Sequence, residues 1–185
     1  ELAQVKMSEP SRADDVAPGE LALAYTNDSF KVAAPQIHVM PVDLCEGAET
    51  LQEQVSGGPA RSVVCPKGRI TRLAFVDNGA TLLSSHDGGF LRRWDVETGA
   101  LVQEAQVHED AVQDMQLAPR DGSYVVTASL DKTAALVDVR TLEVLRSYKT
   151  GRFVNSASVS PLYDHVVLGG GQDASQVTTT SAKAG

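Results

Sequence analysis

The chain has 185 residues, 42% hydrophobic, 22% charged and only 5% aromatic, the composition of a folded protein whose core is filled mainly by aliphatic side chains. Sixteen Lys and Arg against twenty-four Asp and Glu leave a net charge of -8, which argues against nucleic acid as the primary ligand, because phosphate neutralisation needs a positive surface. No apolar run approaches the roughly 18 residues of a membrane span, and two cysteines, Cys45 and Cys65, are too few for a disulfide scaffold and fit no zinc spacing. Reduced thiols in an intracellular chain are the expectation.

The acidity is concentrated at the front, where residues 1–60 hold ten acidic and three basic side chains. The chain opens on Glu1 rather than Met, without a signal-peptide pattern, and closes on a polar run, so both ends read as cut. Asn27-Asp28-Ser29 has the form of a glycosylation acceptor but reads as a turn in this setting. A Pro18-Gly19 turn leads into a strand at Leu21–Tyr25, and a second is expected at Ile37–Val42. A polar loop over 43–59 then reaches a further strand near Arg61–Val64.

From Ile70 onward the pattern repeats. Ile70–Phe75, Val112–Leu117 and Val154–Val159 each alternate apolar and polar residues and start 42 residues apart, the period of a half-buried strand within a repeated unit. Turn residues follow each: Asp77-Asn78-Gly79, Pro119 to Gly122, and Pro161 to Asp164. Second strands are expected at Ala80–Ser85, Ser123–Ser129 and His165–Gly169, each ending in a tight turn that holds Asp87, Asp131 or Asp173. Third strands end at Trp94-Asp95-Val96 and Val137-Asp138-Val139, and fourth strands begin at Ala100 and Val144. Four short strands in about 43 residues is the size of one propeller blade. The fold class is therefore all-β. The expected division is a divergent blade at 1–64, blades at 65–107 and 108–150, and an incomplete blade at 151–185.

Asp131 in its turn is placed to accept hydrogen bonds from turn amides, and His108, in the loop leading into the next first strand, to meet it and a strand hydroxyl such as Ser129. Trp94-Asp95, Asp87 and the His108 to Asp131 spacing resemble the signature of the WD-repeat family. The runs Val154 to Ala157, Asp164 to Ala174 and Val177 to Ser181 are similar, within it, to the small WD-repeat subunits, called i, of eukaryotic translation initiation factor three. That resemblance implies a structural blade network of His108, Ser129, Asp131, Asp87, Trp94 and Asp173. It also implies a ring of seven blades, of which this chain supplies about four as a partial β-propeller. Where His would be expected ahead of the Trp94 unit stands Lys67-Gly68, and where Trp would be expected after His108 stands Val137.

Catalytic and ligand signals are weak. Adjacent His-Asp pairs such as His86-Asp87 project to opposite faces of a strand and make no metal site. Gly169-Gly170-Gly171 is followed by a Thr-rich strand rather than by the helix that a phosphate loop needs. No catalytic residue, cofactor or metal is expected, and the chain reads as no enzyme. A basic cluster of Arg69, Arg72, Arg92 and Arg93 is the one candidate RNA contact, and a solvated or salt-bridged strand face explains it better. The resemblance implies a cytoplasmic scaffold that binds subunits b and g of the factor and meets the small ribosomal subunit through that assembly. The alternative is a different WD-repeat adaptor, associated with a receptor or kinase. Asp114 and Asp131 are the expected partner-binding residues, on the face that carries the leading loops.

Overall fold

The computed structural model describes residues 19–25, 36–42, 61–66 and 68–171. Thirteen strands among them form four antiparallel sheets. The first holds β1 (Gly19–Tyr25), β2 (Gln36–Val42) and β3 (Arg61–Val64) in that order. The second holds β4 (Ile70–Val76), β5 (Thr81–His86), β6 (Phe90–Asp95) and β7 (Leu101–Gln106). The third holds β8 (Val112–Leu117), β9 (Tyr124–Ser129), β10 (Thr133–Asp138) and β11 (Val144–Lys149). The fourth contains β12 (Val154–Val159) and β13 (Val166–Gly170). Within each sheet consecutive strands are antiparallel neighbours, the wiring of propeller blades. The 43–59 loop, Asp173 and the Thr-rich run lie outside the described residues.

The cores lie between sheets. In β5, Leu82 joins Ile37, Val39, Val63 and Trp94 in a cluster shared with the first sheet. Its neighbour Leu83 points the other way and joins Met115, Val125, Ala135 and Val137 of the third sheet. The same alternation recurs in β9: Val125 faces the second sheet, and Val126 packs with Val154, Ala157 and Val159 of the fourth. Both faces of these second strands are covered, which explains why β5 and β9 are buried over five consecutive residues. The outer strands β7 and β11 are largely exposed. A sheet alone would leave one apolar face in water, so each unit depends on its neighbours.

Pairing register aligns the units more finely than sequence spacing does. Ile70 pairs with His86 and Val112 with Ser129. The first strands are thus offset by 42 residues and the following hairpins by 43, because the equivalent pairs Phe75 with Leu82 and Leu117 with Val125 enclose six and seven residues. Gly88 therefore stands at the position of Asp131, and Leu130 at that of Asp87. Gly89 and Lys132 coincide too, with φ values of 79° and 68°, the left-handed bend this hairpin requires.

Candidate functional site

The third sheet carries a buried polar network fed by its leading loop. His108 Nδ1 lies 2.9 Å from Asp131 Oδ2, and its Nε2 lies 2.8 Å from Thr127 Oγ1. Asp131 also accepts hydrogen bonds from the backbone N–H of Glu109 and from the N–H and hydroxyl of Thr133. One carboxylate thus ties the leading loop to the hairpin that it crosses. Burial holds His108 below the usual histidine range, an effect that its Asp131 hydrogen bond only partly offsets. The ring is neutral near pH 7, with Nδ1–H donating to Asp131 and Nε2 accepting from Thr127. Burial alone would raise Asp131, but the hydrogen bonds from Thr133 and Glu109, with His108, outweigh it and hold the carboxyl below its ordinary value.

Two of the expected assignments change. Thr127, not Ser129, meets the imidazole; Ser129 donates instead to the Asp110 carbonyl and accepts from the Asp131 N–H. Residues 127 and 129 share one face of β9, so spacing could not choose between two hydroxyls there. Asp87 is not the counterpart of Asp131: it is exposed, and its Oδ1 accepts one bond, from the Arg69 N–H at 2.9 Å.

The second sheet builds a different network on the equivalent face. Trp94 Nε1–H donates to Ser84 Oγ at 2.8 Å, and Ser84 Oγ lies 2.9 Å from His86 Nε2. Arg92, itself buried, reaches the same imidazole, with Nη1 3.1 Å from Nδ1, and pairs with Glu104 on β7. His86 comes from the end of β5 rather than from a leading loop, so a unit with no leading-loop histidine still supplies an imidazole to its Ser–Trp pair. Spacing rules built on a leading-loop His miss it; a His two residues after a strand Ser, on the same face, is the signal that could have found it. Trp94→Phe removes the donor to Ser84, whose hydroxyl keeps His86, and leaves a gap where the indole packs in the core, so a loss of about 1–2 kcal/mol is expected in a urea titration. A variant as stable as the parent would remove Trp94 from the network.

Burial and the adjacent Arg92 guanidinium push His86 down to about 4. A histidine that is harder to protonate when folded favours unfolding in acid: the unfolded chain takes up a proton below pH 6.5 that the folded chain refuses until about pH 4. The stability is fully present above pH 6.5 and is lost as pH falls toward 4. His86 alone is expected to cost about 2 kcal/mol between pH 7 and pH 5, and His108 adds to it with the same sign. Denaturant titrations at the two pH values check this, and a parent equally stable at both would contradict it.

Asp114, expected on a docking surface, is engaged within the molecule. Its Oδ1 pairs with Arg72 Nε of the second sheet at 3.2 Å, and its Oδ2 accepts from the Ser156 hydroxyl of the fourth at 2.8 Å and from the Ala157 N–H at 3.3 Å. Arg72, Asp114 and Ser156 stand 42 residues apart, the same position in three successive repeats, and link three sheets side by side. Gln116 adds a parallel link, its Oε1 accepting from the Val159 N–H. Asp131 is likewise consumed by its network, with a side chain only 9% exposed.

The basic cluster dissolves in the same way. Arg92 pairs with Glu104, Arg72 with Asp114, and Arg93 donates to the Val139 and Arg140 carbonyls; Arg69 is exposed. Burial pushes the Cys65 thiol up to about 11 against the opposing influence of Arg92, which leaves it protonated and a poor nucleophile. Among the described residues, no group of three or more His, Cys, Asp or Glu is placed to hold a metal ion. No helix among them is long and apolar enough to cross a membrane.

The family model described as WD domain, G-beta repeat matches residues 99–138. That stretch holds β7, the outer strand of the second sheet, and β8 to β10, the inner strands of the third, so one sequence repeat spans two sheets and couples them. The chain is 39% identical along its whole length to a Bombyx mori protein named eukaryotic translation initiation factor 3 subunit I, covering 54% of that protein. It is 42% identical over 88% of its length to proteins of the same name from Drosophila grimshawi and Drosophila willistoni, covering 48% and 49% of them. The chain thus spans about half the length of the curated relatives it matches.

Proposed function

We propose that this WD-repeat chain is part of a non-catalytic scaffold subunit of eukaryotic translation initiation factor 3. In that role it would hold other subunits together while mRNA is recruited and scanned for its start codon on the small ribosomal subunit. The similarity to proteins bearing that name, which runs along the entire chain for the Bombyx mori protein and along 88% of it for the Drosophila ones, carries the reading. The repeated sheets support it, because their polar side chains are spent on one another: Asp131, His108, Asp114 and Arg92 all serve internal bonds. Such a framework presents a rigid surface rather than reactive groups. The proposal includes cytoplasmic location and subunits b and g as partners. It also includes the division into blades at 65–107 and 108–150, with divergent or incomplete ones on either side at 1–64 and 151–185.

The test is sedimentation of the full-length protein from a cytoplasmic extract on a density gradient. The reading expects part of it to travel with the small ribosomal subunit and to shift to lighter fractions when salt strips the initiation factors. A protein that stays in the light fractions whatever the salt, or that follows membranes, overturns it.

A further inference from the structure

The sheets expose their two ends unequally. At one end lie the turns that join β4 to β5, β6 to β7, β8 to β9, β10 to β11 and β12 to β13. At the other lie the leading loops and the tight hairpins around Gly89 and Lys132. Eight large hydrophobic side chains are exposed among the described residues. Seven stand in the first set of turns or on the first two residues of the strand that follows: Leu101 and Val102, Val144 and Leu145, Leu162 and Tyr163, and Val167. Val64, at the end of β3, is the remaining one and lies by the opposite loops. Exposed hydrophobic residues are ordinary when scattered; gathered at one end of successive sheets they mark an interaction surface.

Side chains stitch this end together. Arg93 donates to the Arg140 carbonyl at 2.7 Å, and Gln103 Nε2 to the Thr141 carbonyl at 2.6 Å. Arg120 donates from Nε to the Pro161 carbonyl at 2.8 Å and from Nη2 to the Leu162 carbonyl at 3.1 Å. The turns of neighbouring sheets are therefore contiguous, and the Leu162-Tyr163 tip is held in place. Within that tip, Ser160 Oγ accepts from the Leu162 and Tyr163 N–H groups, and the Tyr163 ring meets His165 edge-on at 5.7 Å. Such a tip keeps two large apolar side chains in water while already ordered, so binding through it costs little further conformational entropy.

The charge at this end selects the partner. Asp77, Glu97, Asp121, Glu143 and Asp164 are exposed there against Arg120 and Arg140, and Arg120 has already directed donors to carbonyls. An acidic, apolar-studded face repels a second copy of itself and repels RNA. We propose that this turn face is the docking surface, and that its occupant is a polypeptide segment carrying aliphatic or aromatic side chains among Lys and Arg. The proposal deepens the scaffold reading and rests on it. It also moves the expected docking away from Asp114 and Asp131, which are engaged internally.

The test uses the full-length protein and an array of peptides of about 20 residues that tile the polypeptides co-purifying with it. Leu162→Ser with Tyr163→Ser alters only exposed side chains, and Glu109→Lys with Asp110→Lys changes the opposite end. The captured peptides are expected to be basic and apolar, to bind about tenfold more weakly to the first double variant, and to be little changed by the second. Acidic or polar captured peptides, no capture, or binding indifferent to the Leu162 and Tyr163 changes would overturn the proposal. So would self-association of the parent, seen in analytical ultracentrifugation and lost in that variant, or an RNA oligonucleotide that binds at these residues. The identity of the co-purifying polypeptides tests the scaffold reading separately, so the two can fail independently.

Discussion

Asp131→Ala is expected to be among the most damaging substitutions in the chain, with a loss of about 3 kcal/mol or more. The carboxylate accepts from the His108 ring, the Glu109 N–H and both donors of Thr133. Alanine removes the carboxylate from beside a fully buried imidazole, leaving the His108 Nδ1–H only the Thr133 hydroxyl at 2.9 Å and the Glu109 and Thr133 N–H groups without their acceptor, and a stranded donor costs more than a hydrogen bond contributes when made. The leading loop also loses its tie to the hairpin, so the second and third sheets are loosened together. Asp131→Asn keeps the shape and part of the accepting capacity, and should lose less. Asp121 is the control: its carboxylate accepts from the Ser123 N–H and hydroxyl in an exposed turn, and Asp121→Ala should shift the urea midpoint much less. Equal shifts for Asp131→Ala and Asp121→Ala would mean that the buried network does not hold the blade.

Gly89→Ala should be comparably severe for a different reason. A Cβ at Gly89 would lie 2.1 Å from the His108 carbonyl oxygen and 2.7 Å from its carbon. Both are backbone atoms, and neither can rotate away. The φ of 79° adds strain for any side chain, though Lys132 at the equivalent place shows that strain alone is bearable. The Gly89 carbonyl accepts from the Val107 and His108 N–H groups at 3.0 and 3.1 Å, so the hairpin cannot retreat without breaking the join to the leading loop. Overlap and strain together should cost about 3 kcal/mol or more, read as a fall in melting temperature. Gly79→Ala has φ of 90° but nothing within 4 Å of its Cβ, so it carries the strain alone and should fall less. If the two alanine variants melt together, the close approach at His108 is not real.

Much of the fold could be read from residue order because alternation is a local signal. Val112–Leu117 and Val154–Val159 have the bounds expected of them, since each is an apolar-polar alternation closed by a turn. The site was harder to read. The 42-residue spacing of first strands holds, and register offsets the hairpins by 43, so Asp87 aligns with Leu130 and Asp131 with Gly88; two turn aspartates 44 residues apart look equivalent only because residue type, not register, matches them. Nothing local marks His86 as the imidazole of the second sheet; that follows from the register that sets it beside Ser84 and Arg92. Asp114 looked free because its partners, Arg72 and Ser156, lie a whole repeat away on either side. Their common spacing was visible; that three repeated positions touch follows only once the sheets stand side by side.

Above all else, the proposed role of this repeat framework is that of a scaffold within initiation factor 3. Affinity purification of the tagged full-length protein from cytoplasmic extract, washed at high salt and analysed by mass spectrometry, tests it most directly. Exposed charge pairs weaken under such a wash while apolar contacts persist. The predicted result is stoichiometric recovery of other initiation factor 3 subunits, b and g among them, that survives the wash. Recovery of receptor- or kinase-associated proteins in their place, with no subunit of the factor retained, would contradict it.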